Sequence, residues 1–524
     1  RPLFLLAAIA FFIDLLLEAA FLLLRLPFRK SALRPLVLLA GRRLYELAVL
    51  PYSALRDADA VCRALYRMIF SHRNMLQWQT AADAERSRPQ NTRGYFKALF
   101  PCAAFGTIVL AAAVSAAIAA ARQIHNGETA GMAAAGLATA VLWLCAPLIA
   151  EKKDEKPDSY RFTAAERGRL TELFADTWQY FEQNCTEKTS WLPPDNFQEE
   201  PYRGAAMLTS PTNIGMGLMA VVSAHDMHLL DERGMFTRLE RMVNSIEKLE
   251  KWHGHPFNWY NLRDLSLLRP RFISTVDSGN LFACLITTAC ALAECAGQAE
   301  KTSAEFAEEL KKLAARCTAI AREMDFSVLY DNTRELFHIG CSFEEGKLTP
   351  SHYDLLASEC RLTSFSAIAF SRIGSEHWFA LSRLMCDASG GRVLKSWSGT
   401  MFEYLMPLIF FETVPYSMQF EVCRNAVLTQ ILAAAAEKPW GVSESGYYAF
   451  DDALRYQYRA FGNPELALAP GRMRSDVIAP YACVLALAVE PKAAAENLRL
   501  LCQIFRTCGH DAVKLGVLRE IVLE

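Results

Sequence analysis

Long unbroken apolar runs crowd the first 150 residues of the chain, and helical periodicity replaces them further on. The first run, about 3–26, is long enough to cross a bilayer but carries Asp14 and Glu18, an i,i+4 pair on one helical face. Charges at that depth face a protein partner rather than lipid, and the alternative is a helix lying along the interface. Runs 103–121 and 131–150 are cleaner, and the polar loop 122–130 between them makes a hairpin. A basic, helix-like segment at 28–97 separates the first run from that hairpin. Arg42, Arg43, Arg63, Arg67 and Arg73 precede the hairpin, Lys152, Lys153 and Lys156 follow it, and Arg122 is the basic residue of its loop. Basic flanks stay in the cytoplasm, so a membrane region at 1–158 is expected at a bacterial inner membrane, among its lipids, with the rest of the chain facing the cytoplasm. The chain opens at Arg1 inside an apolar run and reads as a piece of something longer.

From 159 to 524 the pattern is that of a soluble domain. Apolar residues at i, i+3, i+4 and i+7 predict helices at 164–185, 215–230, 235–251, 278–297, 303–324 and 353–373, with a shorter one at 481–488 after Pro480. Strand-like alternation is sparse. Roughly a dozen helices joined by loops rich in Pro, Gly, Asn, Trp and Tyr predict a mainly α fold. Transmembrane helices are followed by a helical toroid, inner helices ringed by outer ones, with the loops gathered at one mouth as a deep cleft.

Composition narrows the choice of partner. Lys and Arg number 55 against 57 Asp and Glu, a formal charge of -2, so no basic surface points to nucleic acid. The 15 cysteines form no C-x-x-C pair and sit in apolar contexts such as Cys284, Cys290 and Cys295. They read as small buried hydrophobes of a reducing compartment rather than as a zinc site or disulfide framework. His253 and His255 lack a carboxylate at ligand spacing, so no metal and no cofactor are expected.

The loops carry the chemistry. Sugars stack their C–H faces on aromatic rings and hydrogen-bond their hydroxyls to Asp, Glu, Asn, Arg and His. Both residue types concentrate in the runs 191–197, 252–260, 274–280, 396–404 and 440–447. The substrate-binding candidates are therefore Asp195, His255, Trp259, Tyr260, Asp277, Trp397 and Glu403. The triplet Asp57-Ala-Asp59 matches a nucleotide-sugar motif by letter, but it lies in a helix-like basic segment with no strand before it.

Longer runs are more specific. Thr209-Ser-Pro-Thr-Asn-Ile-Gly215, Ser274-Thr-Val-Asp-Ser-Gly-Asn-Leu281, Tyr353-Asp-Leu-Leu-Ala-Ser-Glu359, Ser398-Gly-Thr-Met-Phe-Glu-Tyr-Leu-Met-Pro407 and Tyr456-Gln-Tyr-Arg-Ala-Phe-Gly462 resemble the glucoamylase-like domain of cyclic β-1,2-glucan synthases. The run Ser71–Glu85 resembles the tail of their membrane glycosyltransferase region. The resemblance implies an (α/α)6 toroid that cyclises linear β-1,2-glucan by transglycosylation, working with glycosyltransferase and phosphorylase-like regions of the same or a longer polypeptide. The chain departs from the family at Asn261, where Asp is usual, and at Gly446, where Ala is usual.

Turning a linear β-linked glucan into a β-linked ring retains configuration, which calls for a nucleophilic carboxylate and an acid/base carboxylate. Three glutamates stand in suitable loops. Glu359 precedes Arg361, a cation expected to hold it ionised and to help bind sugar. Glu444 lies between two serines, and Glu403 between Phe402 and Tyr404. The residues leave the pairing open; the resemblance implies Glu359 as nucleophile and Glu444 as acid/base. An endo-β-1,2-glucanase and a non-catalytic glucan-binding scaffold are the competing readings.

Overall fold

The computed structural model describes residues 33–73, 91–122, 127–154, 160–411, 417–434, 438–469 and 477–507, with short pieces at 11–13, 16–17, 19–20, 89, 414–415 and 521–522. The expected span at 3–26 with Asp14 and Glu18 falls almost wholly outside those residues. So do most of the 71–85 run, Lys156 and the chain after His510. Two compact units divide the chain, Arg1–Ser159 and Tyr160–Glu524.

In the first unit, helices α1 (Leu33–Ala48), α2 (Leu50–Tyr66), α3 (Thr92–Ala98), α4 (Phe100–Arg122) and α5 (Gly127–Asp154) follow one another. The helices α4 and α5 pack along their length because small residues face each other: a Cβ placed on Gly136 would lie 2.9 Å from the Ala113 side chain. The indole N–H of Trp143 on α5 donates to the Leu47 carbonyl of α1 at 3.0 Å. The segments Phe100–Ala121 and Ala130–Lys152 are long and apolar enough to cross a membrane. Asp57 and Asp59 lie exposed on α2, beside Arg56 and Arg63, an ordinary charged helix face.

The second unit is built mainly of helices, as the periodicity predicts. Among them are α6 (Ala164–Asn184), α7 (Pro211–Asp226), α8 (Glu232–Lys248), α9 (Thr275–Ala299), α10 (Ala304–Glu323), α11 (Arg361–Ala369), α12 (Met401–Leu405), α13 (Met418–Ala433), α14 (Pro480–Ala486) and α15 (Pro491–Thr507), with a short helical turn at Glu376–Ala380. Side-chain caps set most starts: Ser210 opens α7, Asp231 opens α8, Ser274 opens α9 and Ser303 opens α10. Thr163 with Glu166, and Thr400 with Glu403, form capping boxes on α6 and α12. Helix α9 is also long and apolar enough for a membrane, but two-thirds of it is buried, against α7, α10 and α11. Its Gly279 is required there, because any Cβ would collide with Thr363 of α11.

One predicted helix, 353–373, forms only from Arg361 onward. His352 and Tyr353 pair as a strand with His338 and Phe337, and the backbone then turns through Ser358, whose hydroxyl accepts from the Cys360 N–H. Short two- and three-residue strands also staple the loops together. They are too brief for a period of two to register in the sequence. Apolar side chains collect in two main clusters in this unit. One runs from Trp178 to Ala367 through α7–α10; the other runs from Leu356 to Leu501 through α12–α15. Glu359 sits where the chain passes from one cluster to the other.

Candidate active site

Glu359 occupies the turn that launches α11, its carbonyl accepting from Leu362 N–H. Its carboxyl receives one long side-chain contact, from the Ser358 hydroxyl at 3.4 Å. Burial, and then the negative charges of Glu444 and Glu403, push it up to about 8. The expectation that Arg361 keeps it ionised is overturned. The Arg361 guanidinium is buried and donates instead to the carbonyls of Leu356 and Tyr404, both at 3.2 Å, bracing α11 against α12. An arginine wholly inside the core cannot bind sugar either.

Glu444 begins the strand β1 (Glu444–Phe450), which pairs with β2 (Tyr456–Ala460). Gly446 lies opposite Tyr458, so Tyr458 is a diagonal neighbour of Glu444 on the same face. Its phenol donates to the Glu444 carboxylate at 2.5 Å. Burial pushes Glu444 up, the Tyr458 hydrogen bond opposes it, and the Glu403 charge adds to the rise. The Tyr481 hydroxyl donates to the Glu444 carbonyl at 3.0 Å and meets Ser443 at 2.9 Å, which fixes the strand from below.

Glu403 differs from both. Its carboxylate accepts from the Ser396 hydroxyl at 3.0 Å, the Ser398 N–H at 3.0 Å and the Thr400 N–H at 2.8 Å. With its side chain buried and its oxygens spent on the loop that caps α12, Glu403 is a brace and not a sugar ligand.

A second group of polar side chains comes from the starts of α7 and α9. Thr212 donates to Asp277 at 2.5 Å, and Asn213 donates to Asp195 at 2.8 Å. With its side-chain amide turned so that both neighbours are satisfied, Asn258 donates to the other Asp277 oxygen at 3.0 Å and accepts from the Trp259 indole N–H at 3.1 Å. Burial raises Asp277, its Ser274 and Thr212 hydrogen bonds oppose that, and the charge of Asp195 adds to it. Trp259 lines a cavity of about 430 Å³ with Phe272, Lys347 and Leu348. Burial pushes the Tyr353 phenol, on the segment leading to Glu359, well up, and the charges of Cys360, Glu359, Asp277 and Glu444 add to the rise.

Two further expectations fail for the same reason, burial. Tyr260 is fully enclosed in the first cluster, its hydroxyl donating to the Glu250 carbonyl at 2.6 Å and accepting from Phe257 N–H at 2.7 Å. His255 is also enclosed, edge-on to Phe326, and burial pushes it down to about 4. Neither can reach a hydroxyl of a bound sugar. Trp397, by contrast, is 62% exposed on the loop braced by Glu403. Thr212, Asn213, Asn258, Tyr353 and Tyr458 were given no role from sequence. Each lies inside a run already singled out, so the runs held the signal while single letters did not.

Residues 351–512, which carry Glu359, Glu403 and Glu444, match the Glycoamylase family, described as "Putative glucoamylase"; residues 174–280, which carry Asp195 and Asp277, match a family of unknown function, DUF3131. Among solved structures the chain is similar to an endo-β-1,2-glucanase of Chitinophaga pinensis, solved with sophorotriose and glucose. That likeness has 16% identity and a TM-score of 0.51, and covers 66% of this chain and 84% of that one. An endo-β-1,2-glucanase of Talaromyces funiculosus, solved as a mutant with β-1,2-glucan, gives 12% identity and a TM-score of 0.51 over 65% and 78% of the two chains. Together these likenesses support a carbohydrate-active enzyme with a glucoamylase-like domain. The chain is 30% identical to the cyclic β-(1,2)-glucan synthase NdvB of Rhizobium meliloti over 89% of its own length, and it spans 20% of that protein. The likeness to cyclic β-1,2-glucan synthases read from the sequence is thus borne out over most of the chain.

Proposed function

We propose that the second unit is a retaining transglycosylase that cyclises or redistributes linear β-1,2-glucan, with Glu359 and Glu444 as its catalytic carboxylates. The observation that carries this reading is the pair itself. The two glutamates come from distant segments, and burial together with the charge of Glu444 lets Glu359 keep its proton up to about pH 8. A retaining mechanism needs one proton shared by two carboxyls.

In the first displacement one carboxylate attacks C1 of a glucosyl unit while the other gives its proton to the departing O2. In the second, the same acid/base takes the proton from an acceptor O2–H, which attacks C1 and restores the β linkage. Likeness to the synthases favours Glu359 as nucleophile. That assignment requires the resting proton to pass from Glu359 to Glu444 when sugar fills the cleft. The reverse assignment needs no transfer. Asp277, Asp195 and Trp259 hold the glucan on the opposite side, and Trp397 offers an outer stacking surface. The basic flanks orient this unit toward the cytoplasm, anchored in the inner membrane by α4 and α5.

Incubating the full chain in detergent with linear β-1,2-glucan tests the reading. Rings and redistributed chain lengths are expected; a product consisting only of new reducing ends would replace it with an endo-β-1,2-glucanase. No change in the glucan would leave the non-catalytic scaffold.

A further inference from the structure

Among the described residues, Asp331, His338 and His352 form a group whose ligand atoms lie within 4.8 Å of one another, and no step of the proposed reaction uses them. They come from three strands: β3 (Tyr330–Asp331), β4 (Leu336–His338) and β5 (His352–Tyr353), with β4 in the middle. The strands β3 to β5 make one small antiparallel sheet. His352 stands directly opposite His338, and Asp331 stands opposite Leu336, two residues before His338. Alternation therefore sends Asp331, His338 and His352 to one face, and Tyr330, Phe337 and Tyr353 to the other. The second face is core and active site: Phe337 is fully buried, and Tyr353 feels Glu359, Asp277 and Glu444.

We propose that Asp331, His338 and His352 bind a divalent transition-metal ion, Zn²⁺ by preference, which clamps this sheet from its outer face. Several observations agree. The His352 Nε2 and the nearest Asp331 oxygen are 3.1 Å apart, close to the about 3.3 Å that separates two ligands on a tetrahedral Zn²⁺. The Nδ1 of His338 lies 2.6 Å from the Thr349 carbonyl, which takes its N–H and leaves Nε2 with a lone pair for a metal. Metal-binding histidines are oriented in this way by an outer partner. The two imidazoles lie with ring centroids 4.3 Å apart, near enough to serve one ion. The other Asp331 oxygen is tied to the N–H groups of Thr333 and Arg334, so the carboxylate is held in place. Arg334 lies 3.9 Å from Asp331 on an exposed side chain and can swing clear. Three protein ligands leave a fourth position for water. Imidazole nitrogen with one carboxylate suits Zn²⁺ better than Ca²⁺ or Mg²⁺, which take oxygen ligands.

The clamp would hold β5, the strand that runs directly into the Glu359 turn. It rests on the sheet alone and stands whether the reaction is transfer or hydrolysis. The full chain in detergent, stripped with a chelator and dialysed against micromolar Zn²⁺ or Co²⁺, should retain one equivalent of metal. Its Co²⁺ form should show the visible absorption of a tetrahedral nitrogen and oxygen site, without a thiolate charge-transfer band. His338→Gln and His352→Gln should each weaken binding by more than the about 10–100-fold that loss of an outer partner costs. Zn²⁺ should raise the unfolding temperature of the starting protein and not of either variant. Failure of the unmodified chain to retain metal would overturn the proposal even if a variant misfolds. A thiolate band, or binding by both variants as tight as by the starting protein, would place any bound metal elsewhere and overturn it too.

Discussion

The two halves of the glucoamylase-like unit treat their carboxylates in opposite ways. In the first-cluster half, Asp195 and Asp277 are tied down by Asn213, Thr212 and Asn258, so each oxygen points in a set direction. In the second-cluster half, the side-chain contact to Glu359 is a long one from Ser358, and Glu444 is held by Tyr458 and Thr400, while burial first and neighbouring charges second push both carboxyls up. Saturated carboxylates position, whereas undersatisfied ones beside like charge exchange protons. Glu403 is the control within the same half. It is as buried as its neighbours but fully hydrogen-bonded, and it serves the loop.

The comparison breaks most easily at the glutamates. Replacing Glu359 or Glu444 by Gln keeps shape and removes proton exchange, so turnover of linear β-1,2-glucan should fall by at least about 10³-fold in each. Azide with an activated glucosyl donor should rescue Glu359→Gln with inversion and Glu444→Gln with retention. The opposite pattern would exchange their roles, and near-normal turnover in either variant would remove the pair. Charge also has a sign here. Unfolded glutamate titrates near 4.5 and folded Glu359 near about 8, so the folded chain binds the extra proton between those values. Stability should therefore fall as pH rises from about 4.5 to about 8. Glu359→Gln should lack that fall, and above pH 8 it should be more stable than the starting protein by on the order of a few kcal/mol. Thermal unfolding of both proteins across that range is the measurement, and parallel curves would contradict the burial argument.

The positioning half should respond less, and differently. Asp277→Asn keeps the shape but turns an acceptor into a donor facing Asn258 and Thr212, so the site would lose one or two hydrogen bonds to sugar or scaffold. At about 1–1.5 kcal/mol each, that is roughly a tenfold to hundredfold loss in kcat/KM, expressed mainly in KM. An equal loss confined to kcat would make Asp277 a proton-exchanging group and erase the difference between the halves. Tyr458→Phe removes the stronger of the two hydrogen bonds, from Tyr458 and Thr400, that favour charged Glu444, so the alkaline limb of the rate profile should move up in pH with a rate loss of about tenfold. An unmoved limb would separate Tyr458 from the proton inventory.

Helices were the legible part of this sequence because their apolar spacing and caps are local. Ser210, Asp231, Ser274 and Ser303 open helices close to where the pattern called for them. The carboxylates were legible as a set, since five short runs gathered them with aromatics. Their individual environments were not. Arg361 follows Glu359 by two positions, yet its side chain runs the other way into the core, because helix α11 starts at that residue. Tyr260 adjoins Trp259, yet Tyr260 enters a two-residue strand with its ring in the core, while Trp259, just before that strand, stays partly exposed. Proximity along the chain says nothing about which face a side chain takes once the backbone turns. Asp331, His338 and His352 escaped for a related reason: 21 residues and three strands separate ligands that meet only through sheet register.

The smallest effect belongs to Trp397, and it tests whether the glutamate half also binds. The indole is 62% exposed, and its neighbour Ser396 anchors the loop through Glu403, so the ring itself holds no core together. Removing it should leave the unfolding temperature unchanged. If a glucosyl ring of the substrate lies on that face, stacking contributes on the order of 1 kcal/mol, and Trp397→Ala should raise KM about fivefold with kcat preserved. The effect should also depend on length, since an outer surface is reached only by chains that extend past the Glu359–Glu444 pair. Short oligosaccharides should be handled equally by both proteins, and long ones less well by the variant. A loss shared by all lengths would place Trp397 at the reacting sugar, and no loss at any length would take it out of the cleft.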